Sequence, residues 1–87
     1  MNASHKVVVY TGNRCAYCNA AKRLLDSKGI KYKEIDGSFD PSVRQEMLSK
    51  TEGRTFPQIL IGDNAIGGCD ELYMLDQSGK LDSLLAA

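Results

Sequence analysis

The chain lacks a net charge: eleven lysines and arginines are balanced by eleven aspartates and glutamates among 87 residues. No long-range field therefore draws it to nucleic acid or to an anionic membrane surface. It also lacks any apolar run near the roughly 20 residues that a membrane-spanning helix needs. The opening Met1-Asn2-Ala3-Ser4-His5-Lys6 leads into only four apolar residues, too few for a secretory signal. A cytoplasmic protein that engages neither nucleic acid nor membrane is expected. Cysteine is scarce, and the three present, Cys15, Cys18 and Cys69, are an odd number. A secreted disulfide scaffold carries a denser and even set. The close pair is thus expected to do chemistry in a reducing compartment rather than to staple the fold. Repeats, low-complexity segments and linkers are absent as well. The length fits one domain, 1–87, and an apolar fraction of 43% with 25% charged residues excludes disorder.

What is present alternates between strand and helix signals. Val7-Val8-Val9-Tyr10 is apolar on both faces and predicts a central buried strand. Thr11-Gly12-Asn13-Arg14 breaks it, and a helix is predicted from about Cys15 to Lys28, with Tyr17, Ala20, Ala21, Leu24 and Leu25 at helical spacing. Gly29 stands where a helix ends. Ile30 to Ile35, charged at alternate positions, predicts an edge strand. Asp40-Pro41 opens a second helix, capped by the carboxylate, with Val43 and Met47 on one face and an end near Gly53. Ile59-Leu60-Ile61, the turn Gly62-Asp63-Asn64 and Ala65-Ile66 predict a hairpin. A short helix follows Gly67-Gly68, with Leu72 and Leu75, and Leu81, Leu84 and Leu85 mark a last one. The order β-α-β-α-β-β-α plus a final helix is that of an α/β domain with a mixed sheet. Two strands joined by a helix should run parallel.

Cys15-Ala16-Tyr17-Cys18 falls where a strand gives way to a helix. At a helix N-terminus, unpaired N–H groups and the macrodipole favour an anion. Thiolate is the reactive form of cysteine, and such a setting lowers its pKa below the free value of about 8.5. Arg14 adds an adjacent positive charge. Cys18, one turn inward, is near enough to attack a mixed disulfide formed at Cys15, which is the cycle of thiol–disulfide exchange. A closed zinc site needs four ligands, and only Cys69 and His5 stand beside the pair. His5 is read as a solvated residue, and zinc is set aside. A structural disulfide across two residues on a helix start does not fit a reducing compartment.

The pair with Tyr17 resembles the Cys-x-Tyr-Cys active site of dithiol glutaredoxins, which follows a strand ending in Tyr-Thr. Two further segments agree in order and spacing. Thr55-Phe56-Pro57-Gln58-Ile59 resembles the family's Thr-Val-Pro segment, and Gly67-Gly68-Cys69-Asp70-Glu71-Leu72 resembles its Gly-Gly-x-Asp turn. The resemblance covers nearly the whole chain. It implies a thioredoxin fold, with a four-stranded mixed sheet in the order 2-1-3-4 flanked by helices. It also implies a cis bond before Pro57 and an extended glutathione bound along Phe56 by β-augmentation. Tyr17 would flank the groove, with Thr55, Phe56 and Pro57 along it. Gly68 and Cys69 would offer backbone groups to the γ-glutamyl carboxylate at a helix start. Asp70 would meet the α-ammonium, a role compatible with its also serving as a helix cap.

By this resemblance the chain is expected to be a glutathione-dependent thiol–disulfide oxidoreductase. Cys15 and Cys18 would be catalytic, glutathione the co-substrate, and disulfide-containing or glutathionylated proteins the partners of a monomer. No metal is needed for that chemistry. An alternative is a [2Fe–2S] cluster held between two subunits by Cys15 and glutathione, as in family members without proline between the cysteines; Ala16 leaves this open. A third is an electron donor to one partner enzyme, independent of glutathione. Two further departures stand out. Gly12 replaces a lysine common three residues before the first cysteine, and Phe56 replaces a smaller valine. Lys22, one turn beyond Cys18, is read as solvated.

Overall fold

A computed structural model of the chain describes residues 6–51 and 53–86, so His5 lies outside the described residues. The elements are β1 (Val7–Thr11), α1 (Ala16–Ser27), β2 (Lys33–Asp36), α2 (Pro41–Lys50), β3 (Gln58–Ile61), β4 (Asn64–Gly67), α3 (Cys69–Gln77) and α4 (Lys80–Ala86). The strands form one sheet in the order β2-β1-β3-β4. β1 runs parallel to β2 and antiparallel to β3, and β3 runs antiparallel to β4. This is the thioredoxin-type sheet that the resemblance implied, with β2 at an edge.

Side chains alternate across a strand, and β1 uses the alternation to serve two cores. Val7 and Val9 join Ile59 and Ile61 of β3 on one face, where Ala21 and Leu25 of α1, Leu72 of α3, and Leu81 and Leu85 of α4 cover them. Tyr10 and Leu60 point to the other face and meet Met47 of α2, with Val8, Ile35, Val43 and Phe56 beside them. Three helices therefore lie on one side and one on the other. The strands with residues in both clusters, β1 and β3, are the central pair.

Several boundaries differ from the sequence expectation. Cys15 and Lys28 flank α1 as its caps rather than lying inside it. The helix closes with Gly29 at φ 69°, the Gly29 N–H on Asp26 O and the Ile30 N–H on Leu25 O, both 3.0 Å. This paired closure is the Schellman arrangement. It commits Ile30 to the end of the helix, so β2 starts at Lys33, opposite Val8, and not at Ile30. α2 stops at Lys50 rather than near Gly53, because Thr51 turns to an extended conformation. Its start is as expected: Asp40 accepts from the Ser42 and Val43 N–H groups, with Pro41 at the first helical position. The hairpin turn is tighter than expected, since Asn64 already belongs to β4. Gly62 at its first central position has φ 61°, a position where a turn of this kind favours glycine. Lys22, read as solvated, remains part-exposed and also reaches Glu34 in a surface ion pair at 3.2 Å.

Tyr10 is 1% exposed, and its hydroxyl donates to the Glu46 carboxylate at 2.6 Å. Burial first, then that carboxylate, pushes its pKa up to about 12, against about 10 in an unfolded chain. The unfolded state therefore loses this proton before the folded state does. Stability linked to Tyr10 is complete below pH 10 and falls as pH rises through the 10 to 12 window. Tyr10→Phe is expected to flatten that alkaline decline in denaturant midpoints measured from pH 9 to 11. An unchanged slope would mean that Tyr10 does not carry it.

Candidate active site

The loop from β1 to α1 sets the two cysteines. Gly37 N–H donates to Thr11 O at 2.9 Å and holds the end of β1 to the chain leaving β2. Arg14 then takes φ 53°, the left-handed region that non-glycine residues seldom enter. Cys15 follows as the N-cap of α1, with φ −108° and ψ 102°. Its sulfur does what a capping oxygen does elsewhere: it accepts the Cys18 N–H at 3.0 Å. The Cys15 carbonyl accepts from Asn19 N–H at 3.3 Å. An N–H and the positive end of the helix dipole both act on this sulfur, and both favour negative charge on it.

Cys15 and Cys18 are joined as a disulfide, with their Cα atoms 5.2 Å apart. Cys18 is 2% exposed, whereas Cys15 is partly open to solvent. The asymmetry matters chemically, because an attacking sulfur must be reached by its substrate. Only Cys15 meets that condition, and Cys18 is reached through Cys15.

Beside the disulfide lies a cleft of about 160 Å³, lined by Tyr17, Thr55, Phe56, Pro57, Gly68, Cys69, Asp70 and Glu71. All seven residues singled out in the sequence for a glutathione groove meet there, drawn from three segments far apart in the chain. Tyr17 stands out from α1 at 66% exposure. The Phe56–Pro57 bond is cis, and the Phe56 carbonyl oxygen lies 3.6 Å from Cys15 Sγ. Gly68 is the N-cap of α3, and a Cβ there would come 3.2 Å from the Pro57 carbonyl. Glycine thus lets the start of α3 approach the proline loop. A larger hollow of about 950 Å³, against α2 and the other sheet face, is lined by none of the cysteines.

The start of α3 also corrects one expectation. Asp70 does not cap the helix; it is the second helical residue and is exposed. The capping interaction belongs to Glu71, whose carboxylate accepts the Gly68 N–H at 2.7 Å. Sequence reasoning passed over Glu71, although Gly68-Cys69-Asp70-Glu71 has the spacing of a capping box. With the cap supplied by Glu71, the Asp70 carboxylate is left exposed at the rim of the cleft. Cys69 is buried, and burial, reinforced by Asp70 and Glu71, raises its thiol pKa. Its sulfur is therefore a poor thiolate source.

Comparison with known proteins decides the lineage. The glutaredoxin family model matches residues 7–66. The glutaredoxin of Pseudomonas aeruginosa is 47% identical over 81 residues, spanning 93% of this chain and 96% of its own. The family is settled by that agreement. This chain is a glutaredoxin. Among solved structures, the glutaredoxin of Brucella melitensis superposes with a TM-score of 0.81 at 51% identity, covering 93% of this chain and 88% of that one. The buckwheat glutaredoxin–glutathione complex superposes with a TM-score of 0.82 at 32% identity, covering 95% and 78%. Membership of the family, with the cysteine pair at the head of α1, makes the protein a thiol–disulfide oxidoreductase. Among the described residues, no helix is long and apolar enough to cross a membrane.

Proposed function

We propose that this glutaredoxin reduces glutathione mixed disulfides and protein disulfides with glutathione as its electron source, and that it works as a monomer in the cytoplasm. The observation that carries the reading is the junction of the Cys15–Cys18 disulfide with the cleft of Tyr17, Phe56, Pro57, Gly68 and Asp70. The Cys15 thiolate attacks the sulfur that joins glutathione to its protein. The old disulfide breaks, the protein leaves as a thiolate that takes a proton from solvent, and glutathione stays on Cys15. A second glutathione thiolate then attacks that mixed disulfide and leaves with the first as glutathione disulfide. With a protein disulfide as substrate, Cys18 resolves the mixed disulfide, and two glutathiones later reduce the Cys15–Cys18 bond. Electrons balance in both routes, two per disulfide.

In the cleft, Phe56 offers backbone groups to an extended tripeptide, with Tyr17 and Thr55 at the sides. The backbone of Gly68 and Cys69 at the start of α3 suits the γ-glutamyl carboxylate, and the exposed Asp70 suits its ammonium. A charge-assisted hydrogen bond contributes on the order of 1.5–3 kcal/mol, toward the lower end when solvent-exposed. Asp70→Ala is therefore expected to raise the glutathione concentration for half-maximal rate roughly tenfold, at about 1.4 kcal/mol per decade, with little change in the maximal rate. Steady-state kinetics against glutathione concentration checks this, and an unchanged dependence would remove Asp70 from recognition.

Gly12 supplies no cation to the glutathione. The cluster-bridged dimer is the second reading, kept open by Ala16 where proline would stand between the cysteines. Visible absorption after anaerobic purification with glutathione separates it from the first. The glutathione-coupled reduction of a glutathionylated peptide tests the main reading, and turnover that needs a thioredoxin reductase instead would overturn it.

A further inference from the structure

Phe56 does more than contribute a carbonyl to the cleft. Its ring is keyed into a slot whose walls are two glycines on separate loops. A Cβ on Gly12 would overlap Phe56 Cδ2 and come 2.9 Å from Cγ; one on Gly37 would come 3.1 Å from Cζ. At Gly12 a Cβ would force the ring to move, and at Gly37 the ring would have to give by a few tenths of an ångström. The Arg44 guanidinium of α2 lies over the ring, 5.2 Å from its centroid, and donates to the Gly37 carbonyl at 3.0 Å. Gly37 in turn is tied to Thr11 at the end of β1. The ring thus clamps the segment before Pro57 to the same strand end from which the Cys15 loop departs. On the far side of that clamp, the Phe56 carbonyl oxygen lies 3.6 Å from Cys15 Sγ.

We propose that Phe56 is a positioning residue for Cys15: the ring, locked between Gly12 and Gly37 and covered by Arg44, fixes its own carbonyl against the sulfur and so tempers the ionisation of the reduced thiol. A carbonyl oxygen at that place accepts from the S–H form and repels the thiolate, opposing the Cys18 N–H that favours the thiolate. The balance of these two contacts sets how much Cys15 is ionised near neutral pH. The charged groups bordering the site are Arg14 before Cys15, Arg44 over the ring, and Asp70 and Glu71 across the cleft. All four are kept in the test. Gly12 and Phe56 form on this account one coupled unit.

The inference rests on Cys15 being the attacking sulfur, but its test uses no glutathione, so its failure leaves the proposed function standing. In a Cys18→Ser background, the alkylation rate of Cys15 by iodoacetamide is measured against pH for four proteins: the parent, Gly12→Ala, Phe56→Ala and the double variant. Unfolding midpoints are recorded in parallel, and Phe56→Leu takes the place of the alanine form should that not fold. Freeing the carbonyl is expected to lower the half-ionisation pH of Cys15 by about half a unit, the scale of a weak hydrogen bond. Gly12→Ala, which displaces the ring, is expected to shift it too. The double variant should differ little from Phe56→Ala alone, since Gly12 acts through the ring. Half-ionisation values that stay fixed while midpoints fall would reduce the ring to a space filler. Shifts that add in the double variant would show that the slot and the ring act separately.

Discussion

Cys15→Ser is expected to abolish reduction of a glutathione mixed disulfide, while Cys18→Ser keeps a substantial part of that activity. The difference follows from exposure and from the cap geometry. Cys15 is the sulfur open to solvent, and its Sγ receives the Cys18 N–H at 3.0 Å. That N–H is a backbone group, so the serine at position 18 leaves it in place. Cys18 itself is 2% exposed and has no route to an incoming disulfide except through Cys15. It is needed where a protein disulfide must be resolved, and Cys18→Ser should lose that reaction. Assays of both variants on a glutathionylated peptide and on a protein disulfide measure the division of roles. Equal loss in both variants on the glutathionylated peptide would contradict it.

Leu72→Ala is expected to be strongly destabilising. Leu72 is 0% exposed and packs with residues from the sheet, α1 and α4 in the larger core. It also lies one turn after Gly68, its N–H donating to the Gly68 carbonyl at 3.1 Å, so it anchors the helix start that borders the cleft. Truncating a buried leucine to alanine costs about 2–5 kcal/mol, against a total stability of about 5–15 kcal/mol for a domain. A chain of 87 residues has little core to spare. Urea unfolding should show a lower midpoint with an unchanged slope. A loss under 1 kcal/mol would mean that the core closes around the gap.

The architecture was legible where one residue's neighbours in sequence carry the signal. The four apolar residues of β1 announce a strand buried on both faces, and its alternation divides exactly those residues between the two cores. The cysteine pair announces its chemistry by standing at the junction of strand and helix. Where contacts are made between distant segments, the sequence was silent. Nothing local indicates that Gly12, Gly37 and Arg44 enclose the Phe56 ring, or that Lys22 pairs with Glu34 across from α1 to β2. Lys28 likewise joins Asp76 at 2.6 Å and Asp82 at 3.2 Å, binding the end of α1 to α3 and α4. Element ends shifted for a different reason. The Gly29 closure and the Gly68–Glu71 cap satisfy backbone groups at helix termini, and these local bonds outrank the hydrophobic period in deciding where a helix stops or starts.

The cleft proposed to take glutathione stands between these cases. Each of its segments was recognisable as a motif, yet only folding brings Tyr17, the Phe56–Pro57 loop and the start of α3 around one cleft. The Asp70 role, by contrast, could not be separated from capping until Glu71 was seen to hold the Gly68 N–H.

Under the proposed function, Cys15 takes glutathione onto its sulfur. The most direct measurement is mass spectrometry of the Cys18→Ser protein after exposure to a glutathionylated peptide, followed by digestion to locate the adduct. One glutathione on Cys15, removed by added glutathione, is the expected result. Glutathione found on Cys69, or no adduct at all, would contradict the account.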